Sequence, residues 1–375
     1  MTTKSKIKIA HLTSAHERSD VRIFLKECSS LAESGFETSL IVADSKGNEL
    51  NSCINIIDVG QPTGRVNRIF NTTRRILNAA TLLDADIYHL HDPELMPIGI
   101  KLKNQGKKVI FDAHEDLPKQ ILAKPYLNKI ARKSLSFAAS TYEQWAAKKF
   151  DAIVTATPFI RDKFLKINPN TIDINNYPKL GELDTYNIDW SSKKNSICYI
   201  GGLTKVRGIE EIVQALSQLK HQDIRLQIGG AFSEETFEQL VKELPSWQTQ
   251  VDFLGWLNRT EVSNIMETSI AGLVTLHPII NYLDALPVKM FEYMAAGIPV
   301  IASDFPLWIS IIEKNQCGIC VNPLNSKEIS EAIDFIIENP EQAKLMGENG
   351  RVAILTKYNW NIESTKLIDL YRALT

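Results

Sequence analysis

Short apolar runs alternate along this chain with longer segments in which apolar residues recur every three or four positions. The runs are rich in Ile and Val, and Gly, Pro and Asp commonly flank them. This alternation predicts β-strands joined by amphipathic helices. Because the runs are almost continuously apolar, we expect parallel sheets that are covered by helices on both faces.

The predicted elements form two similar series. In the first half, strands are predicted at residues 7–12, 38–43, 54–59, 87–91, 108–112 and 152–155, with helices at 21–34, 66–83 and 129–149. In the second half, strands are predicted at 196–200, 225–228, 251–254, 271–276, 299–302 and 318–321, with helices at 208–219, 234–244, 259–267, 288–296 and 327–338. A polar, turn-rich segment at 176–194 separates them. The fold class is therefore α/β, with two doubly wound Rossmann-like domains.

Composition narrows the class of protein. The 375 residues are too many for one hydrophobic core, and 44% hydrophobic with 23% charged residues excludes a disordered or fibrous chain. The net charge of −2 provides no overall positive field, so we expect no nucleic-acid partner. No apolar run precedes the first strand, no stretch approaches the roughly 20 apolar residues of a membrane span, and the five cysteines are scattered. These features predict a cytoplasmic protein.

The loops after the strands are where a doubly wound sheet binds its ligands. The first loop, residues 13–22, lacks G-x-G-x-x-G, and no P-loop sequence occurs anywhere, which argues against NAD and against P-loop chemistry. After the predicted strand at 196–200, Gly201 and Gly202 are followed by Lys205 and Arg207. Paired glycines and basic residues before a helix predict an anion site, a diphosphate in particular. The alternative is a tight turn with exposed basic residues.

A second loop and helix carry acidic residues. Asp284 precedes a predicted helix that begins near Pro287 and ends at Gly297. Glu292 lies among apolar residues on that helix, where a carboxylate needs partners, and two ribose hydroxyls would serve. The alternative is a glutamate paired with a structural arginine or lysine.

Three metal-like patterns are interpreted as structural. Asp84 and Asp86 mimic a D-x-D motif but lie where a helix leads into a strand. Cys317 and Cys320 have CxxC spacing without a second pair. His89 and His91 lie on one face of a strand, where packing or lining of a cleft is favoured over a zinc pair with Asp92. No metal site is predicted.

Taken together, these motifs resemble those of family 4 glycosyltransferases with the GT-B fold. The resemblance rests on the segment 201–208, on Asp284 and Glu292 with the Glu-Tyr-Met-Ala-Ala-Gly-Ile-Pro-Val segment, on the motifs at residues 11–13, 20–22, 31–36, 89–95 and 112–115, and on Tyr358-Asn-Trp360. It covers nearly the whole chain. It implies two Rossmann-like domains facing each other across a cleft: an acceptor-side domain at 1–180, a nucleotide-sugar domain at 181–358, and a C-terminal helix at 359–375 that packs back onto the first domain.

The resemblance also implies residue roles. Arg207 would bind the donor diphosphate, either with Lys205 or Lys289 as a second positive charge or with backbone amides alone, and Glu292 would hold the nucleotide ribose. Asp284 would contact the sugar hydroxyls, and the turn at Gly201 and Gly202 with the backbone at Leu286, Pro287 and Val288 would cradle sugar and phosphate. His114 would face and position the transferred sugar; the alternative is a histidine that structures the end of its strand. His16, Asp20, Arg22, Asp92 and Glu115 would line the acceptor side. The family pattern often has Arg where Gly202 stands and normally Glu where Asp284 stands.

The implied activity is metal-independent transfer, with retention of configuration, of a hexose-type sugar from a UDP- or GDP-linked donor. The acceptor would be a saccharide or lipid-linked saccharide hydroxyl in bacterial surface polysaccharide assembly, and no cofactor is needed. Because residues 1–190 contain 26 Lys and Arg against 22 Asp and Glu, peripheral binding to the inner, anionic face of the cytoplasmic membrane is one interpretation, and ordinary solvated helix faces are the other. Two other functions stay open: another nucleotide-sugar enzyme such as a 2-epimerase, and a non-catalytic binding partner.

Overall fold

The computed structural model describes residues 6–124, 128–183 and 190–375. It divides into two units: residues up to Asn176 together with Asn361–Thr375, and Tyr177–Trp360. The chain therefore leaves the first unit and returns to it. Residues 184–189, within the predicted linker, lie outside the described residues.

The first unit is built on one sheet. Its strands are β1 Lys8–Leu12, β2 Glu37–Val42, β3 Glu49–Asn51, β4 Ile54–Asp58, β5 Ile87–Leu90, β6 Lys108–Ala113, β7 Ala152–Thr155 and β8 Thr171–Asp173. Their order is β3-β4-β2-β1-β5-β6-β7-β8, parallel except for β3 against β4. The helices are α1 Ser29–Glu33, α2 Arg65–Asn67, α3 Thr73–Leu83, α4 Met96–Asn104, α5 Leu117–Leu122, α6 Lys129–Ala147 and α7 Pro158–Leu165, with α16 Trp360–Leu374 returning at the end.

Strand order in this sheet reverses at β1 and β5. The two strands are adjacent and parallel, with His11 opposite His89. Successive strands on either side of this pair lead away in opposite directions, which leaves a gap beyond their carboxyl ends where ligands bind in doubly wound folds. The loops after β1, β5 and β6 carry His16, Asp92 and His114 to this edge of the sheet.

The second unit contains a six-stranded parallel sheet. Its strands are β9 Ser196–Ile200, β10 Arg225–Gly229, β11 Val251–Gly255, β12 Ala271–Val274, β13 Val300–Ser303 and β14 Gly318–Val321, in the order β11-β10-β9-β12-β13-β14. The helices are α8 Ile209–Leu216, α9 Glu235–Lys242, α10 Pro245–Gln250, α11 Arg259–Thr268, α12 Val288–Ala295, α13 Pro306–Asn315, α14 Ser326–Glu338 and α15 Pro340–Thr356. Two separate apolar clusters line this sheet, as expected of helices on both faces.

The reversal of strand order in this unit falls between β9 and β12. The turn at Gly201 follows β9, and the segment containing Asp284 follows β12. Both predicted donor motifs thus leave the sheet at its switch point, where the α/β architecture creates a binding site.

The predicted fold class is confirmed, and each of the predicted strands is present. Some details differ. The helix predicted at 21–34 begins as a π-helical turn, Ile23–Cys28, before α1, and a second π-helical turn, Arg68–Thr72, interrupts the helix predicted at 66–83. The three-residue strands β3 and β8 were not predicted, because such short edge segments carry no periodic pattern. Within the described ranges no helix is long and apolar enough to cross a bilayer.

Candidate active site

In the second unit, the turn after β9 gathers positive charge. Gly201 adopts a φ of +136°, a conformation that favours glycine. A Cβ atom added at Gly201 would lie 3.1 Å from Nζ of Lys289 and 3.3 Å from Nη1 of Arg207. Both cations therefore face the backbone of this turn. Gly208, with a φ of +73°, ends the turn and directly precedes α8.

Lys289, one of the two lysines considered from the sequence as a second positive charge, lies beside this turn. Its Nζ lies 3.7 Å from the centroid of the Tyr199 ring and has no hydrogen-bond partner among the described residues. Burial, and then the neighbouring Arg207, lower the pKa of Lys289 well below its usual value. Lys205, by contrast, is exposed. A buried ammonium without an acceptor beside a glycine turn is a site prepared for an anion.

Glu292 lies on α12, three residues after Lys289 and therefore on a neighbouring part of the same helix. Its Oε1 accepts a hydrogen bond of 2.7 Å from Nη1 of Arg259, at the start of α11. The same guanidinium donates to Glu182 at 3.1 Å. The arginine pair that the sequence allowed as a structural alternative is therefore present. Arg259 was not predicted as part of the site, because no local pattern links it to a residue 33 positions away.

The segment before α12 holds the remaining donor-side candidates. Asp284, Leu286 and Pro287 are partly buried, and Pro287 immediately precedes the first helical residue, Val288. The indole Nε1 of Trp308 donates to the Ala285 carbonyl at 2.7 Å, which fixes this stretch of backbone. Gly202 lies beside Arg207, 3.4 Å from Nη1 to the position of an added Cβ. The structure thus places all the predicted donor-side residues at one edge of the second unit's sheet.

In the first unit, His16 lies between two carboxylates. Its Nδ1 is 3.3 Å from Oδ2 of Asp20, and its Nε2 is 3.5 Å from Oδ1 of Asp92. The hydrogen bond with Asp20 raises the pKa of His16 above its ordinary value. Asp92 is nearly buried and accepts hydrogen bonds from Thr13 and from the backbone and hydroxyl of Ser14. These predicted acceptor-side residues form one polar cluster.

Arg22 has a different environment from the others. It is buried, with Nη2 at 3.0 Å from Oδ1 and Nε at 3.1 Å from Oδ2 of Asp112, and Nη1 bound to the Ile174 carbonyl at 2.6 Å. Its Nε also lies 3.1 Å from Oε1 of Glu27. Arg22 therefore lies beneath the polar surface, where it neutralises buried carboxylates. Glu115 lies at the other extreme, on an exposed position.

His114 stands between the buried core and the surface. Its Nε2 lies 3.0 Å from Oδ2 of Asp112 and 3.2 Å from Nδ1 of His91, while about a fifth of its side chain, 19%, is exposed. Its ring centroid is 5.2 Å from that of His16. The predicted sugar-facing histidine is therefore held by the buried residues Asp112 and His91, while part of its ring is accessible to solvent.

Among the residues that the structure describes, two clusters contain side chains of the types that ligate metals: His11, Glu27, His89 and His91, and His91, Asp112 and His114. In the first, Nδ1 of His11 and Nε2 of His91 are 2.8 Å apart while the ring centroids are 5.1 Å apart. The two nitrogens therefore point at one another, as hydrogen-bonded atoms do, instead of converging on a shared ion. In the second, Arg22 already binds both oxygens of Asp112. These are the contacts of a hydrogen-bonded network.

Of the other discounted motifs, Asp84 and the two cysteines lie outside this network. Asp84 ends α3 with an exposed side chain and a lysine partner, Lys107, at 2.7 Å. Cys317 and Cys320 are free thiols at β14. His89 and His91 are fully or almost fully buried, in contact with other rings, so the packing interpretation describes them.

Two family profiles match the chain. The profile described as Glycosyltransferase Family 4 matches residues 22–174, and the profile described as Glycosyl transferases group 1 matches residues 185–353. The chain is a family 4 glycosyltransferase.

Curated relatives of this glycosyltransferase are distant. It is 22% identical over 313 residues to an uncharacterized glycosyltransferase of Methanocaldococcus jannaschii, a match that covers 76% of this chain and 75% of the relative. It is 23% identical over 181 residues to the alpha-D-kanosaminyltransferase of Streptomyces kanamyceticus, covering 48% of this chain and 45% of that one. The second match thus spans less than half of the relative.

Solved structures show the same fold. The sucrose-phosphate synthase of Thermosynechococcus elongatus is 18% identical, with a TM-score of 0.75 and coverage of 98% of this chain and 99% of that one. Anabaena HepE, in complex with UDP and glucose, is 13% identical, with a TM-score of 0.73 and coverage of 98% and 100%. At such identities the likeness concerns the fold, which is GT-B.

Proposed function

We propose that this family 4 glycosyltransferase transfers a hexose-type sugar from a nucleoside-diphosphate donor to a saccharide hydroxyl, with retention of configuration at the anomeric carbon. The observation that carries the proposal is the pair of cations, Arg207 and Lys289, at the Gly201 turn. Two positive charges and a glycine turn match the charge and shape of a diphosphate. The UDP bound in HepE supports a nucleotide of this class, and UDP- and GDP-linked donors are the first to test.

In this proposal the donor binds to the second unit. Arg207 and Lys289 stabilise the negative charge that develops on the departing diphosphate. Glu292 accepts hydrogen bonds from the ribose, with Arg259 holding one of its oxygens and leaving the other available. Asp284 and the backbone at 285–288 bind the sugar. Lys289 supplies the second cation that an arginine often provides in the family at the position of Gly202. Asp284 is one methylene shorter than the glutamate that the family normally has, so its carboxylate reaches less far toward the sugar.

Acceptor binding is assigned to the first unit, at the cluster of His16, Asp20, Asp92 and His114, with Glu115 nearby. The acceptor oxygen bonds to the anomeric carbon as the bond from that carbon to the phosphate oxygen breaks. The phosphate oxygen takes the acceptor's proton on the same face of the sugar, which gives retention. Neither a metal ion nor a separate protein base is required in this scheme, because the leaving group accepts the proton.

A thermal-shift panel with UDP, GDP, ADP, CMP, dTDP, their sugar conjugates and NAD tests the donor site. A ligand at about 100 times its Kd stabilises a protein by roughly 2.7 kcal/mol, which raises the melting temperature by several degrees. A shift with one nucleoside diphosphate and its sugars is expected. A shift with NAD alone, or with none of these ligands, would contradict the proposal.

Release of nucleoside diphosphate, followed with and without saccharide acceptors, tests the reaction. Release that requires an acceptor is expected. Release without one points to an enzyme such as a 2-epimerase, and binding without turnover points to a non-catalytic partner. Arg207→Ala and Glu292→Ala should abolish transfer and keep the fold, with Lys220→Ala, on an exposed surface of the same unit, as the matched control.

The acceptor is proposed to be lipid-linked, in bacterial surface polysaccharide assembly, with the protein at an anionic membrane surface. Helix α6 supports this proposal. Ile130, Phe137 and Trp145 are 80%, 75% and 47% exposed, and the only acidic residue of the helix, Glu143, is buried against Lys163. Lysines 129, 133, 148 and 149 are exposed on or beside the helix. Apolar side chains among lysines are typical of a surface that binds anionic lipid.

Cosedimentation with vesicles tests this surface. The protein should bind vesicles containing anionic lipid, bind neutral vesicles less, and lose binding in a Phe137→Ser, Trp145→Ser variant. The matched control is Leu345→Ser, which removes an exposed apolar side chain, 55% exposed, from the second unit. Equal binding by all variants, or none by the wild type, would leave α6 as a solvated helix face.

A further inference from the structure

A continuous chain of hydrogen bonds joins four imidazoles and one phenol inside the first unit. It runs from Nδ1 of His89 to Oη of Tyr371 at 2.7 Å, and from that oxygen to Nε2 of His11 at 3.2 Å. It continues from Nδ1 of His11 to Nε2 of His91 at 2.8 Å, and from Nδ1 of His91 to Nε2 of His114 at 3.2 Å. Only the last ring is partly exposed. The chain therefore links the interior of the unit with the proposed sugar-facing group.

The number of protons on each imidazole limits the directions in which the hydrogen bonds of this chain can run. Burial lowers the pKa of His11 and His89 well below the ordinary value and that of His91 to about 4, so these rings are neutral near pH 7. A neutral imidazole donates at one nitrogen and accepts at the other. The bonds that join His11, His91 and His114 must therefore run in the same direction, whereas the phenol oxygen of Tyr371 can also accept from both of its neighbours. When they run inward, His114 donates from Nε2 and presents a free lone pair on Nδ1; when they run outward, His114 presents an N–H there.

Asp112 distinguishes these two directions. Its Oδ2 lies 3.0 Å from Nε2 of His114 and 3.9 Å from Nε2 of His89, the nitrogens at the two ends of the chain. In the inward direction Nε2 of His114 carries hydrogen toward the carboxylate and Nε2 of His89 does so when Tyr371 donates to Nδ1 of that ring, whereas in the outward direction both nitrogens turn lone pairs to the carboxylate. One contact favours the opposite state, because Nδ1 of His91 lies 3.4 Å from the same oxygen. The shortest of these three contacts, at Nε2 of His114, favours the inward direction, and so do two of the three contacts in all.

The carboxylate of Asp112 is charged when it acts in this way. Burial alone would raise its pKa, but the Arg22 guanidinium and His114 outweigh burial and hold the pKa well below the usual value. Because Arg22 binds both oxygens, the carboxylate is also fixed in orientation. A fixed buried charge beside one nitrogen of a histidine determines which nitrogen holds the proton.

We propose that Asp112 is a positioning residue that keeps the proton of the neutral His114 ring on Nε2, so that Nδ1 is a hydrogen-bond acceptor for a hydroxyl of the sugar substrate. The inference rests on the proposed function of the site. It also states a preference: a hydroxyl can donate to this nitrogen, whereas a carboxylate or phosphate oxygen at the same position cannot. The group bound there is therefore a neutral sugar hydroxyl.

The tautomer of His114 can be measured directly in the full-length protein. Side-chain 15N NMR of protein labelled in histidine reports which ring nitrogen carries hydrogen, and a His114→Gln spectrum assigns the signal. A single tautomer protonated on Nε2 is expected in the wild type. In Asp112→Asn the fraction protonated on Nδ1 should rise. A wild-type His114 protonated on Nδ1, or a mixture of the two tautomers, overturns the proposal even if Asp112→Asn fails to fold.

Glu27→Gln provides a matched control. Glu27 is equally buried, shares Arg22 as a partner and interacts with Asp112, and its Oε2 approaches His11 and His91 at 3.8 and 3.9 Å, but no contact joins it to His114 in the described part of the chain. The variant should keep the wild-type tautomer of His114. An equal change of tautomer in both variants would mean that loss of any buried carboxylate disturbs the network, and it would overturn the specific role of Asp112.

Kinetics separate this inference from the proposed function. If both hold, Asp112→Asn lowers kcat/KM by about 10- to 100-fold, as expected for one lost substrate hydrogen bond, while the Kd of the nucleoside diphosphate stays unchanged. An unchanged kcat/KM with a changed tautomer refutes the contact with a sugar hydroxyl. A wild type that shows the expected tautomer but transfers no sugar refutes the proposed function and leaves the assignment of the proton intact.

Discussion

Replacement of Lys289 by methionine should weaken the binding of a nucleoside diphosphate and at the same time stabilise the free protein. The two effects have one cause. The amine of Lys289 lies against the Tyr199 ring with no hydrogen-bond acceptor in the described residues, so the free protein is destabilised by a buried polar group whose charged form only a ligand can stabilise. Methionine keeps an unbranched chain against the ring and has no charge to bury.

The expected magnitudes follow from these contacts. A hydrogen bond to a charged group contributes about 1.5–3 kcal/mol, so the Kd should rise about 10- to 150-fold. An unsatisfied buried polar group costs about 1–3 kcal/mol, and its removal from a unit of this size should raise the melting temperature by about 2–10 °C. Because the folded-state pKa of Lys289 is lowered, the folded protein binds fewer protons than the unfolded chain, and stability should rise with pH up to the ordinary lysine pKa.

Calorimetric titration with the nucleoside diphosphate and thermal unfolding at several pH values check both signs. Lys205→Met, at an exposed position of the same turn, should change either quantity little, and Lys220→Met is the control away from the turn. A Lys289→Met protein that binds the nucleotide as tightly as the wild type would refute the diphosphate site. One that melts at a lower temperature would refute the claim that the ammonium is uncompensated.

Three further predictions concern protons and packing. Nucleotide binding should take up a proton at Lys289, since the diphosphate favours the charged amine; titration in buffers of different ionisation enthalpy measures this uptake, and none is expected in Lys289→Met. The raised pKa of His16 contributes stability below its unfolded value that is lost as pH rises through the folded value. Asp20→Asn should lower that pKa in an NMR titration, and an unchanged value would exclude Asp20 as the cause. Gly99→Ala places a Cβ 2.4 Å from Cδ1 of Leu90 and should cost about 1–3 kcal/mol in urea unfolding, despite the higher helix propensity of alanine.

The sequence was informative wherever one local pattern determined the structure. Continuous apolar runs predicted the strands, and Gly297 marked the end of α12, where it adopts a φ of +66°. The π-helical turn at Ile23–Cys28 could not be predicted, because its residues have the same apolar spacing as an ordinary helix. Strand β8, three residues long, has too few positions to show alternation.

The site residues, too, could be predicted only where a local sequence pattern or the family resemblance marked them. Lys289 was a candidate only through the family resemblance, as a substitute for the arginine missing at Gly202, and its packing against Tyr199 distinguishes it from Lys205. The pairing of Glu292 with Arg259 and the contact of Tyr371 with His11 depend on the tertiary fold and have no local signal. The sequence also assigned Arg22 to the acceptor side by resemblance, whereas its guanidinium is buried on Asp112.

The return of the chain to the first unit has a consequence for synthesis. Residues 361–375 belong to that unit, and Tyr371 bonds to His11 and His89 at its centre. During translation the ribosome makes residues 1–176 first, but their last packing partners emerge only after the whole second unit. The second unit can therefore complete its fold earlier than the part of the chain made before it, which reverses the usual N-terminal-first order. In a nascent chain halted between residues 177 and 360, the position that Tyr371 occupies beside His11 and His89 would be empty.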